Sequence, residues 1–225
     1  MKLYIVGAGP GDPDLITVKG LKLLQAADVI LFTDSLVNEE LVALANPDAE
    51  VLHSSGLALE QMVELMADRV RQGKTVVRLQ TGDPSVYGAI MEQIALLKAA
   101  DVEAEIVPGV SSVFAAAAAV GAELTIPELT QTLILTRAEG RTPVPEREKL
   151  RALAEHHCTL ALYLSATLTK KVVRELAGSA HPAHSQACDD PGRLGARPGH
   201  SREKRAVPLQ AVRQNLHARV QKRCE

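Results

Sequence analysis

The chain is poor in aromatic residues and in cysteine. Its 225 residues include no Trp, three Tyr and two Phe, so we do not expect a surface on which nucleic-acid bases stack. The three cysteines, at 158, 188 and 224, form no CxxC pair, which favours a reducing cytoplasm without disulfides. No apolar run approaches the roughly 18 residues of a membrane span, and Leu3 to Val6 is too short for a signal peptide. We therefore expect neither a membrane nor a nucleic acid as partner.

A strong net charge is also absent, although charge is unevenly distributed along the chain. There are 25 Lys and Arg against 27 Asp and Glu, and the 46% of hydrophobic residues is typical of a globular protein. Residues 178–225 hold 9 basic and 4 acidic residues, no Ile, Phe, Tyr or Met, and no pattern of strand period. We interpret them as an atypical basic tail, disordered or produced by a change of reading frame. A nucleic-acid-binding arm is not favoured, because the tail has no recognisable motif.

Up to residue 177, short β-rich runs alternate with helical segments, which is typical of an α/β fold with a mostly parallel sheet. The predicted strands are brief and apolar, as strands buried on both faces are: Lys2–Val6, Val29–Thr33, Thr75–Leu79, Glu105–Val107, Thr132–Thr136 and Thr159–Leu164. The predicted helices are Val18–Ala26, Glu39–Ala45, Leu59–Gln72, Val86–Lys98, Ser112–Val120, Glu146–His156 and Thr169–Ala177.

These elements predict two domains followed by the tail. Residues 1–122 form an N-terminal α/β domain, residues 123–177 begin a second α/β domain, and residues 178–225 are the tail.

Glycine-rich turns follow three of the predicted strands. They read GAGPGDP at 7–13, TGDPS at 81–85 and PGVSS at 108–112. The carboxyl ends of strands form the ligand edge of an open parallel sheet, so three such turns predict one shared pocket. The first turn fits the dinucleotide fingerprint poorly, because two prolines remove amide donors and the helix begins late. A tight turn that binds no ligand stays open as an alternative.

Two further sequence features contain side chains that could act as a base or as metal ligands. Asp34 adds a carboxylate to the same edge at the end of the second strand, although an aspartate there is about as often a turn residue. The sequence HHC at 156–158 does not predict a metal site, because adjacent side chains at a helix end rarely converge on one ion. No metal is therefore expected.

Four blocks of the sequence resemble the signature motifs of the tetrapyrrole methylase family. They are VGAGPGDPDLITVKG at 6–20, DSLV at 34–37, TGDPSVYG at 81–88 and VPGVSSVFAAAAA at 107–119. Within that family, residues 123–150 resemble the branch that methylates C11 of precorrin-4 or its cobalt form. The resemblance covers about residues 1–177. The family would supply further strands after that point, and the tail has no strand pattern, so the resemblance implies that the second α/β domain is incomplete here and exposes an apolar edge.

The resemblance implies a two-domain α/β protein that is usually a homodimer and uses S-adenosylmethionine (SAM) as methyl donor. SAM would lie in the cleft between the domains, with the tetrapyrrole in an adjoining trough. Asp34 matches a residue assigned as a base in a related enzyme, although the lysine partner of that base is absent here. The positions that match SAM-contacting residues are Pro10, Gly82, Asp83, Val86, Ser111, Ser112 and Leu164.

A tetrapyrrole of this class carries many carboxylates, which need cationic partners. Arg137 and Arg141 are expected to bind them, because guanidinium forks suit carboxylates. Gly9, Gly11 and Asp12 of the first turn are predicted to contact the same substrate. The activity implied is methyl transfer in cobalamin biosynthesis, and the alternative is a SAM- and tetrapyrrole-binding remnant that an incomplete second domain has inactivated.

Overall fold

Five parallel strands organise the first part of the molecule. The computed structural model describes residues 2–33 and 36–177, which divide after Gln131 into two compact units. The sheet of the first unit has the order β3-β2-β4-β1-β5, and all its pairings are parallel. Its strands are β1 Leu3–Gly7, β2 Val29–Phe32, β3 Glu50–His53, β4 Val76–Gln80 and β5 Ala104–Val107. The helices are α1 Val18–Ala26, α2 Glu39–Val42, α3 Leu59–Arg71, α4 Ile90–Ala99 and α5 Ser112–Val120.

The second unit begins at Thr132, and its described part holds a two-stranded parallel sheet. The strands are β6 Leu133–Arg137 and β7 Thr159–Tyr163, and the helices are α6 Leu150–Ala154 and α7 Thr169–Ala177. The sequence placed the division after residue 122. The assignment of two domains with those bounds stays a prediction, as does the nature of the tail, which lies outside the described residues.

The core of the first unit lies on both faces of its sheet. One face of β1 and β2 packs Leu3, Ile5 and Leu31 against α3 and α4, and the opposite face packs Ile30 and Phe32 into a second cluster with α1 and α2. Strands covered on both sides read as continuous apolar runs, which is why β1, β2 and β4 were predicted well. The prediction of an α/β fold with a mostly parallel sheet is confirmed.

The sequence pattern did not predict strand β3. It pairs with β2 at the edge of the sheet, and three of its four residues are exposed. An edge strand with little buried surface has no apolar run to mark it, so hydrophobic patterning cannot detect it.

Helix α4 begins at Ile90, so the predicted start at Val86 was wrong. Tyr87 and Ala89 have left-handed backbones with φ of 54° and 48°, and a Cβ on Gly88 would lie 2.2 Å from the Pro84 carbonyl oxygen. Left-handed residues interrupt a right-handed helix, so this segment is an ordered loop. Helix α6 is also shorter than predicted, because Glu146–Glu148 forms a separate turn of 3₁₀-helix.

Packing of α3 on the sheet provides a test of the core. Met66 of α3 is 1% exposed within the core, whereas Met91 of α4 is 74% exposed. We expect Met66→Ala to lower the free energy of unfolding by about 2–5 kcal/mol, because it leaves a cavity. Met91→Ala should change it by less than about 0.5 kcal/mol. Urea denaturation of both variants measures the difference, and equal losses would contradict the packing described.

Candidate functional site

The three glycine-rich turns meet at the carboxyl edge of the sheet in the first unit. They follow β1, β4 and β5, which are adjacent in the strand order. Gly9 and Gly82 form an antiparallel bridge, in which the Gly82 amide donates to the Gly9 carbonyl at 2.8 Å and the Gly9 amide donates to Gly82 at 3.2 Å. The predicted convergence of the turns is therefore present in the geometry.

Two glycines allow these backbones to approach each other. A Cβ on Gly7 would lie 2.5 Å from the Gly109 Cα, and a Cβ on Gly109 would lie 2.2 Å from the Gly82 carbonyl oxygen. Both contacts are with backbone atoms, which cannot rotate away as a side chain can. Gly7 and Gly109 are therefore required by packing.

Gly82 differs from them, because an added Cβ would overlap nothing. Gly82 is buried with a φ of 64°, and a Cβ would lie in ordinary contact, 3.9 Å from the Ser111 Cα and 4.0 Å from the Ser112 nitrogen. A side chain at this position would therefore lie against the first residues of α5. Ser111 is buried at the N-cap of that helix, and the amide groups at its start favour negative charge or polar acceptors.

The Asp83 carboxylate ties the second turn to the third. One oxygen accepts from the Ser85 amide at 2.9 Å and from the Ser85 hydroxyl, and the other accepts from the Gly109 amide at 2.9 Å. Partial burial raises the pKa of Asp83, but the hydrogen bonds from Ser85 and Gly109 outweigh it and hold that pKa below its ordinary value. The carboxylate is anionic at neutral pH, and the Gly109-bound oxygen keeps a lone pair for a further donor.

The other residues predicted in this unit have local contacts at the same edge. The Gly11 carbonyl accepts from the Asn38 side chain at 2.9 Å, and Asp12 accepts from the Asp14 amide at 3.0 Å. Pro10 is buried, and Val86 is half-buried. Since the first long helix begins only at Val18, the turn after β1 does not lead directly into a helix as the dinucleotide fingerprint requires.

Three predicted residues belong to the second unit. Leu164 follows β7, is 74% exposed and has a φ of 54°, a combination that is costly for a leucine. Arg137 donates to the Thr142 carbonyl at 3.1 Å and to the Pro143 carbonyl at 2.8 Å, so its guanidinium fastens the loop that follows β6. Arg141 is exposed within that loop.

Asp34, the predicted base, lies outside the described residues. Within the described ranges, no helix is long and apolar enough to cross a membrane. No group of three His, Cys, Asp or Glu that could hold a metal ion occurs among residues 2–33 and 36–177.

Sequence reasoning missed a polar cluster at the ends of β2 and β3. Arg78 of β4 is 5% exposed and donates to the Leu31 carbonyl and the Thr33 hydroxyl, both at 3.3 Å. The Thr33 hydroxyl lies 2.8 Å from that of Ser54, which donates to the Phe32 carbonyl at 3.1 Å. Burial lowers the pKa of Arg78 to about 10. The signal was present in the sequence, because VVRLQ at 76–80 places an arginine inside an otherwise apolar run.

Comparison with known proteins identifies close relatives. The model of the tetrapyrrole (corrin/porphyrin) methylases matches residues 2–191. A cobalt-precorrin-4 C(11)-methyltransferase of Priestia megaterium is 71% identical over 175 residues, which are 78% of this chain and 68% of the relative.

Solved structures agree with that result. The X-ray structure of a cobalamin biosynthetic enzyme, cobalt precorrin-4 methyltransferase, shares 68% identity with a TM-score of 0.78, covering 80% of this chain and 76% of that one. A uroporphyrin-III C-methyl transferase from Thermus thermophilus, complexed with S-adenyl homocysteine, shares 28% identity with a TM-score of 0.63 and covers 88% and 89% of the two chains.

The crowding of Gly109 predicts a large difference between two glycine substitutions. Gly109→Ala should destabilise the protein by about 1–3 kcal/mol or more, because the new methyl group overlaps fixed backbone. Gly56→Ala is the control, since Gly56 has a φ of 83° with nothing within 4 Å of an added Cβ, so only backbone strain of about 1 kcal/mol is expected. Thermal unfolding compares them, and equal losses would refute the close approach.

The hydrogen bonds of Asp83 predict a pH-dependent stability. Asp83→Asn should cost about 1–3 kcal/mol at pH 7, because an amide cannot accept from both Ser85 and Gly109 as the carboxylate does. The folded pKa lies below the unfolded value, so this stabilisation is fully present above about pH 4 and is lost as the pH falls through the folded pKa. Urea denaturation from pH 7 downwards should show the gap between wild type and variant closing. A gap that is constant with pH would contradict the assignment.

Proposed function

Because the chain belongs to the tetrapyrrole (corrin/porphyrin) methylase family, as its motifs predicted, we propose that it is a SAM-dependent methyltransferase of cobalamin biosynthesis. It transfers a methyl group to C11 of precorrin-4 or of cobalt-precorrin-4. The observation that carries this proposal is the meeting of three glycine-rich turns at the ligand edge, in a sequence 71% identical to a cobalt-precorrin-4 C(11)-methyltransferase.

The residues at this edge suit SAM. The side-chain position of Gly82 adjoins the start of α5, where amide groups favour a carboxylate or a polar acceptor. The remaining lone pair of Asp83 suits an ammonium or hydroxyl donor. We assign the SAM-binding role to Pro10, Gly82, Asp83, Val86, Ser111, Ser112 and Leu164.

The chemistry requires little from the protein besides accurate positioning. SAM supplies a methyl group on a sulfonium, whose leaving group is a neutral thioether. Holding two reactants in line lowers a barrier by about 7–11 kcal/mol, whereas a general base contributes about 10²–10⁴-fold in rate. The rigid turns therefore make the main contribution, and Asp34 is proposed as a base of secondary importance.

The substrate is an anionic ring, which we expect to contact Gly9, Gly11 and Asp12 of the first turn and the exposed guanidinium of Arg141. Arg137 has donors left after its two loop contacts, and we propose that it also binds a substrate carboxylate.

We also propose that the protein is a homodimer in the cytoplasm. Phe114 of the apolar helix α5 is 56% exposed, which supports an interface there.

An inactive remnant is the other function that the sequence left open. Most residues in the two strands of the second unit are half-buried or exposed, which suits an incomplete sheet. The 71% identity extends over 175 residues and favours the enzyme instead.

A methyl-transfer assay decides between enzyme and remnant. The protein is incubated with SAM carrying a labelled methyl group and with either precorrin-4 or its cobalt form. We expect the label in the ring and S-adenosylhomocysteine as co-product, while calorimetry measures SAM binding separately. Tight SAM binding without methyl transfer to either ring would support the inactive remnant. Absence of SAM binding by the folded protein would contradict both the enzyme and the remnant hypothesis.

Two matched glycine substitutions test the SAM site. Gly82 and Gly121 have φ values of 64° and 63°, and a Cβ meets nothing closer than 3.9 Å at Gly82 and nothing within 4 Å at Gly121. Alanine should therefore strain the backbone similarly at both positions. Gly82→Ala alone should weaken SAM binding by at least about tenfold, because its methyl group would take space at the start of α5 that the proposal assigns to SAM. Calorimetric titration measures both affinities, and an equal effect on each would rule out SAM binding beside Gly82.

A further inference from the structure

Arg78 is a buried cation whose partners among the described residues are neutral. Two of its guanidinium nitrogens donate to the Leu31 carbonyl and the Thr33 hydroxyl, both at the long distance of 3.3 Å. Its Nε is buried and has no hydrogen-bond partner in residues 2–33 and 36–177. No ion pair within the described residues includes Arg78, so no carboxylate there compensates its charge.

Packing alone does not explain an arginine at this position. In the register of the sheet, Arg78 lies beside Ile5 of β1 and Leu31 of β2, on the central strand. Strands at such positions are normally apolar throughout, since removing a charge from water is costly. That cost is reflected in the pKa of Arg78, which burial lowers to about 10. A residue kept at a cost to stability points to a role in the site.

The guanidinium faces the ligand edge of the sheet. It is joined to Thr33, directly after β2, and through Thr33 to Ser54, directly after β3. The Ser54 hydroxyl donates its proton to the Phe32 carbonyl, so it must accept a hydrogen bond from the Thr33 hydroxyl. Thr33 in turn accepts from Arg78, and both hydroxyl groups are therefore oriented. Strand β4, which holds Arg78, leads two residues later into the turn that contains Gly82 and Asp83.

We infer that Arg78 supplies the buried positive charge that draws the substrate carboxylates to this edge, while its hydrogen bond to Thr33 orients the hydroxyl groups of Thr33 and Ser54. The inference rests on the proposed function, since that function makes the ligand a polycarboxylate ring. Arg78 does not have to touch the ring, because a charge in a medium of low polarisability acts over a longer distance than a charge in water. It is a positioning residue, and it binds no part of SAM.

Replacement of the charge at constant volume tests this role. Arg78→Met removes the charge and fills the space, so the unfolding temperature should stay the same or rise, as is usual when a buried ion is replaced by an apolar side chain. Binding of uroporphyrin III, a stable polycarboxylate tetrapyrrole, should weaken at least about tenfold in an absorbance titration, and SAM affinity by calorimetry should change less than about twofold. Arg78→Lys keeps the charge and should retain most of the uroporphyrin affinity.

Arg71→Met is the charge-matched control. Arg71 ends α3 at the opposite edge of the sheet, pairs with Asp68 at 2.8 Å, and is about half exposed, so its loss should leave uroporphyrin binding unchanged. The inference would be overturned if Arg78→Met bound uroporphyrin as tightly as wild type does, or if Arg71→Met weakened uroporphyrin binding equally. It would also be overturned if Arg78→Met lost stability together with its affinity for both uroporphyrin and SAM. If Arg78→Met does not fold, a folded Arg78→Lys that has lost uroporphyrin affinity overturns it. Wild type that binds neither ligand would sink the proposed function as well.

Discussion

The close contact between the backbones of three turns determines the architecture of the site. Gly7, Gly82 and Gly109 approach so closely that a single methyl group on Gly7 or Gly109 would overlap main-chain atoms. Asp83 adds a hydrogen bond from its carboxylate to the Gly109 amide across the same junction. Strands β4, β1 and β5 are thereby held at a fixed spacing where they end, and the start of α5 is held with them. Everything proposed about a ligand at this edge depends on that fixed spacing.

Fixed spacing is also what the proposed chemistry needs. A methyl group on a sulfonium reacts when the acceptor carbon lies in line with the bond that breaks, so small displacements cost rate. Turns tied by the Gly9–Gly82 bridge and by Asp83 cannot drift independently of each other. The strained backbone at Tyr87 and Ala89 adds to this, because such conformations persist only where neighbouring contacts enforce them. The Gly88 and Ala89 carbonyls indeed accept from the side chains of Gln80 and Gln93.

The sequence predicts the buried strands and the turns that follow them, because both have local signals. β1 and β2 are apolar on both faces and β4 is apolar apart from Arg78, and their order along the chain with intervening helices implies a parallel sheet. The sequence does not predict β3, whose residues are mostly exposed, nor the late start of α4, which follows the left-handed residues Tyr87 and Ala89. The sequence also could not give the full set of hydrogen bonds that Asp83 accepts. The bond from the Ser85 amide is local to TGDPS, whereas the bond from the Gly109 amide depends on the tertiary structure.

Net charge is a poor guide to where an anionic ring binds. A better guide is which cations lack a carboxylate partner. Residues 1–177 contain 16 basic and 23 acidic residues, which on average repel a polycarboxylate. Several surface cations are already neutralised, among them Lys19 by Glu105 and Arg69 by Glu50. A cation contributes to the field at a site only to the extent that no nearby carboxylate cancels it. Within the described residues, Arg78 satisfies that condition while lying in the core next to the ligand edge, where solvent screens its charge least. The proposed role of Arg78 is thus a local attraction that acts despite a surface excess of the opposite sign.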